Sequence, residues 1–65
     1  MPLNTKLKKI RESKNMTQDE LSKASGVGRI TISRIETGEL ENTTVGTIAK
    51  LATGLGVSES ELFGD

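Results

Sequence analysis

The sequence predicts an all-α domain of short helices joined by tight turns. Three observations carry that prediction. Large apolar residues recur at steps of three and four, as at Leu3, Leu7 and Ile10 or Ile48, Leu51, Ala52 and Leu55. Capping residues (Thr17, Thr44 and Ser58) stand ahead of the later apolar runs, and Glu follows three positions after two of them. Asn15, Gly26 and Gly38 close the earlier runs. With 65 residues, only one core can form, burying ~60% of the surface of the unfolded chain.

The first helix is expected to begin near Asn4 or Thr5, with Leu3, Leu7 and Ile10 on its inner face. Asn15 ends it, because Asn tolerates the left-handed conformation that closes a helix. Thr17-Gln18-Asp19-Glu20 is a capping box that opens a second helix. Asp19 and Glu20 suit the positive end of the helix dipole. Met16 can pack on Leu21 as a hydrophobic staple, and Leu21 and Ala24 form the inward stripe. Gly26 stops this helix early. Gly28 is an acceptable N-cap for a third helix, with Ile32 and Ile35 inward and Gly38 at its end. Val27, apolar in a turn of three residues, is expected to be buried and to fix the angle between the two helices. Residues 39–43 read as a polar loop around Leu40. Thr44 caps a fourth helix with Val45, Ile48, Leu51, Ala52 and Leu55 inward, and Gly54 and Gly56 weaken its end. Ser58 opens a last turn or two, and Leu62 and Phe63 fold back onto the core.

Composition excludes whole classes of chemistry. The chain has no Cys, His, Trp or Tyr. It therefore holds no disulfide, no Cys or His metal site and no Ser-His-Asp or Cys-His nucleophile system. The longest apolar run is two residues, so no segment spans a membrane. The N-terminus lacks the apolar stretch of a signal peptide, and a cytoplasmic location is expected. No cofactor and no small-molecule ligand is implied. The net charge is zero, but it is unevenly spread. Residues 1–34 carry eight basic and three acidic groups, a balance of +5, and residues 35–65 carry one basic and six acidic, a balance of −5. Two readings fit this asymmetry: a polyanion bound on one side, or a solvated face.

Ile30 does not fit the inward pattern. It shares a helical face with Arg29, Ser33, Arg34 and Thr37, which is polar and basic apart from that one residue. Arg can donate to O6 and N7 of guanine, and an apolar group can meet the thymine methyl. The same face is also compatible with plain solvent exposure and a stray surface Ile.

Met16-Thr17-Gln18-Asp19-Glu20-Leu21, Ala24, Gly26-Val27, Ile32-Ser33, Ile35-Glu36 and Gly38 stand in register without a gap. In that register the chain resembles the phage-repressor and Cro-type helix-turn-helix proteins, the XRE family, from about Leu7 to Phe63. The ending Leu55-Gly56-Val57-Ser58, then Glu61-Leu62-Phe63, resembles the family's fifth helix. The resemblance implies one five-helix domain over residues 1–65, with the helix-turn-helix at 18–37. Helix 2 is expected at 18–25 and helix 3 at 29–37, and helix 3 enters the major groove. Base contacts are then expected from Arg29, Ile30, Thr31, Ser33 and Arg34. Phosphate contacts are expected from Thr17 and Gln18 at the start of helix 2, where free N–H groups favour an anion, and from Asn42, Thr43 and Thr44. Gln18 would also brace Arg29. Arg11 and Glu36 match a structural ion pair between helix 1 and the end of helix 3.

Two departures stand out. Glu39-Leu40-Glu41 follows helix 3 where the family usually has basic residues, and Thr43 stands where it often has Pro. Gly28 replaces the commoner Ser or Thr. The resemblance implies a transcriptional regulator, a repressor that binds double-stranded DNA as a homodimer, with half-sites about one helical turn apart. The competing reading is a protein-binding module, antirepressor or antitoxin-like, that keeps the fold without DNA; zero net charge and the acidic segment favour it. Enzymatic activity is not expected, because Glu12, Glu20 and Glu36 have roles as helix-surface, capping and ion-pair residues.

Overall fold

The computed structural model describes residues 3–38 and 44–63, and these form five helices. They are α1 (Leu3–Ser13), α2 (Gln18–Ser25), α3 (Arg29–Thr37), α4 (Val45–Leu55) and α5 (Glu59–Phe63). No strand occurs among the described residues.

Local chemistry explains most of the boundaries. After α1, Asn15 takes the left-handed conformation at φ 55°. The capping box at Thr17 is complete: its hydroxyl accepts from the Glu20 N–H at 3.1 Å, and the Glu20 carboxylate accepts from the Thr17 N–H at 2.9 Å. Gly26 and Gly38 end α2 and α3 with φ of 77° and 81°, where a side chain would be strained. Thr44 caps α4 by accepting from the Thr47 N–H at 3.2 Å. Ser58 accepts from the Glu61 N–H at 3.3 Å at the head of α5.

The core brings together Leu7 of α1, Leu21 of α2, Ile32 and Ile35 of α3, Ile48, Leu51, Ala52 and Leu55 of α4, and Leu62 of α5. Val27 is buried among them from the α2–α3 turn, and Ile10, Met16 and Val57 pack at the edge. The turn has a polar lock as well. Ser25 Oγ donates to the Leu21 carbonyl at 2.7 Å and accepts from the Val27 N–H at 3.1 Å. Burial at Val27 and this lock together fix how α3 leaves α2.

Two expected core positions are exposed instead. Ala24 faces solvent, and the inner stripe of α2 runs from Leu21 to the half-buried Ser25. The i, i+4 pair faces α4 here and the i, i+3 pair does not. Val45 is 70% exposed. A helical Cα–Cβ bond tilts toward the N-terminus, so the first residue of α4 points past the elements that cover Ile48. α1 also starts slightly earlier than expected, at Leu3. Leu40 and the side chains of Leu3 and Phe63 lie outside the described residues.

Gly54 does more than weaken the end of α4. A Cβ built there would lie 2.8 Å from Ser25 Cβ, 2.9 Å from Ser25 Cα and 3.0 Å from Ser25 N. Only a hydrogen at this position lets α4 sit directly on the end of α2.

Candidate nucleic-acid interface

α3 has two faces of opposite character. Ile32 and Ile35 are buried, at 0% and 1% exposure, and anchor the helix to the core. Ile30, in the same helix, is 66% exposed. Arg29, Arg34 and Thr37 are exposed beside it, and Ser33 and Thr31 are half-buried. The outer face is therefore two guanidinium groups and three hydroxyls around one branched aliphatic side chain. Gly28, before the helix, supplies no side-chain cap to its first N–H groups.

Thr17 is exposed at the head of α2. Its oxygen accepts the capping bond, so its own O–H is left to donate to an anion. Thr44 is exposed at the head of α4, with its oxygen 2.9 Å from Thr47 Oγ. Asn42 and Thr43 lie outside the described residues.

Gln18 is half-buried, and its Nε2 donates to Glu36 Oε1 at 3.1 Å. The same carboxylate receives Arg11 twice, Nε to Oε2 at 2.7 Å and Nη2 to Oε1 at 3.0 Å. The remaining end of Arg11, Nη1, donates to the Met16 carbonyl at 2.7 Å. One buried fork thus fastens α1, the α1–α2 turn, the first residue of α2 and the end of α3. The side chains of Arg11 and Glu36 are only 11% and 4% exposed. Burial alone pushes the Glu36 carboxyl up. Hydrogen bonds from Arg11 and Gln18, with the charges of Arg11 and Lys8, outweigh burial and hold the carboxyl below its ordinary range. Hydrogen bonding to Glu36 likewise raises Arg11, against the effect of its own burial.

Arg29 has a different partner from the one expected. Its Nε lies 3.3 Å from Asp19 Oδ1, with the two side chains 58% and 74% exposed. Sequence reasoning missed this pair and assigned Asp19 to the helix dipole. The signal was slight, an acid in the first turn of α2 and a base at the start of α3. Only the geometry of the turn brings them together.

Among the described residues no group of acidic side chains is arranged to hold a metal ion, and no helix is long and apolar enough to cross a membrane. The helix-turn-helix family model matches residues 7–62. The chain belongs to this family, that of the phage-repressor and Cro-type regulators. Its family is one of DNA-binding regulators of transcription. The restriction-modification controller protein C.AhdI from Aeromonas hydrophila has a similar structure, with a TM-score of 0.88 and 33% identity over 94% of this chain and 91% of that one. A curated relative is the isomerizing glutamine–fructose-6-phosphate aminotransferase of Methanocaldococcus jannaschii, 35% identical over 61 residues, or 94% of this chain. This helix-turn-helix chain spans only 6% of that protein's length, so the likeness is to one short segment of it.

Proposed function

We propose that this helix-turn-helix protein is a sequence-specific repressor that reads the major groove of double-stranded DNA with α3, as a homodimer on a near-palindromic operator. The observation that carries the reading is the outer face of α3, where an Ile 66% exposed lies between two exposed Arg on a helix whose other face is fully buried. Arg29, Ile30, Thr31, Ser33 and Arg34 are the base-contacting group. Arg29 and Arg34 are separated by about 7.5 Å along a helix of 1.5 Å rise. That is about two base-pair steps of 3.4 Å. Each guanidinium suits the O6 and N7 of a guanine, and Ile30 suits a thymine methyl between them.

Thr17, Gln18, Asn42, Thr43 and Thr44 are the phosphate contacts that set the register. They carry no sequence information themselves. Arg11 and Glu36 are structural, because both ends of the Arg11 fork are already occupied inside the protein. One recognition helix reads a few base pairs, so useful affinity calls for two copies on a two-fold site. Repression needs nothing beyond occupying the groove. The protein acts in the cytoplasm and needs no cofactor. The likeness to C.AhdI, a restriction-modification controller by name, favours gene control over a purely protein-binding role.

Selection of bound duplexes from a random pool, with stoichiometry measured on the winners, tests this. The expected result is a near-palindrome carrying two chains, with affinity that falls as salt rises. A pool that yields no enriched duplex would hand the function to the protein-binding alternative.

A further inference from the structure

We propose that Asp19 is a specificity-determining positioning residue, which holds Arg29 in the orientation that reads a guanine. The proposal rests on the reading of α3 as the recognition helix.

A free Arg on the surface of a helix samples many rotamers, and docking on one base edge must freeze them. It also reaches phosphates as readily as bases. In this protein the Nε of Arg29 is already 3.3 Å from the Asp19 carboxylate. No other carboxylate among the described residues pairs with it. Pairing at Nε leaves the far edge of the guanidinium, Nη1 and Nη2, out of the ion pair. That edge carries the parallel donors that match O6 and N7 of guanine.

The backbone that carries Asp19 is fixed on both sides. Asp19 sits between Gln18, tied to Glu36, and Glu20, tied into the capping box at Thr17. The buried Val27 fixes the angle at which α2 presents Asp19 to α3. Its charge also acts on DNA directly. A carboxylate on this face repels phosphates, so it weakens binding to every duplex alike. Asp19 therefore lowers general affinity and raises discrimination at one base. A role confined to the helix dipole would change stability and leave base preference untouched.

The test is a double-mutant cycle on the duplex that the parent protein selects. Affinities are measured for the parent, Asp19→Ala, Arg29→Ala and the double variant, with all four bases placed in turn at each position. Asp19→Ala should lower discrimination by up to about fivefold at the one guanine that depends on Arg29. Other positions should keep their preferences, and affinity for random DNA should not fall. Arg29→Ala should lose discrimination at the same position, and adding Asp19→Ala to it should change nothing there. Asp19→Asn, which keeps an acceptor oxygen, should retain part of the preference and guards against a folding defect in the Ala variant. An equal shift at every position, or losses from the two variants that simply add, overturns the pairing role. A parent protein that selects no duplex overturns the DNA reading itself, and that outcome is seen before any variant is compared.

Discussion

Among the described residues α3 takes part in two ion pairs, and they differ in burial, distance and partners. At its C-terminal end Glu36 meets Arg11 at 2.7 Å with both side chains nearly buried. At its N-terminal end Arg29 meets Asp19 at 3.3 Å with both largely in water. The buried pair is bidentate, has Gln18 as a third partner and ties three helices together. An exposed pair is worth at most about 1 kcal/mol, so it hardly stabilises the fold. The same chemistry therefore serves two ends: burial makes a fastener, and exposure leaves a cation that a ligand can recruit.

The largest expected effect breaks the fastener. Glu36→Ala leaves Arg11 buried with only the Met16 carbonyl, and should destabilise the fold by about 3 kcal/mol, the low end for a broken buried pair. Urea unfolding measures it. DNA affinity should fall only through the unfolded fraction. pH sharpens the same point. Glu36 titrates below its ordinary value of 4.5, so its contribution is complete above that pH and disappears as pH falls through the lower folded value. In Glu36→Ala this part of the acid sensitivity should vanish.

On the exposed face of α3 the expectation reverses. Arg34→Ala should leave unfolding midpoints unchanged and lose about 1–3 kcal/mol on the selected duplex if the Arg makes a bidentate base contact. The loss on random DNA should be smaller. Equal losses on both would make Arg34 a phosphate contact.

Two glycines of α4 extend the contrast between packed and open positions. Gly54→Ala drives a Cβ into the backbone of Ser25. Overpacking outweighs the gain in helix propensity, and about 1–2 kcal/mol should be lost. Gly46→Ala meets only Thr44 Oγ at 4.0 Å. With helix propensity the main term left, it should stabilise by about 0.5 kcal/mol. Thermal unfolding of the two variants should shift in opposite directions.

The limits of α2 and α3 were legible in the sequence because they depend on local groups: a Thr and a Glu three residues apart, and glycines at positive φ. Val27 was legible because an apolar residue in a three-residue turn has few places to go. What depended on docking was not legible. The Ser25–Gly54 approach exists only because α4 crosses the end of α2, and Gly54 looked like a weak helix end. Ala24 and Val45 share the apolar period of their helices, and only the neighbouring elements decide whether that face is covered. Asp19 and Arg29 meet across a turn whose angle the sequence does not state. On the outer face of α3, Ile30 was legible as the apolar residue that the core could not use.

The central claim is that this face of α3, not another surface, meets DNA. Titration of isotopically labelled protein with its selected duplex, followed by backbone and side-chain resonances, tests it most directly. The account predicts the largest changes at Arg29, Ile30, Ser33 and Arg34, smaller ones at Thr17, Gln18 and Thr44, and little change along the exposed side of α5. Large changes on α5 with the α3 resonances left in place would contradict it.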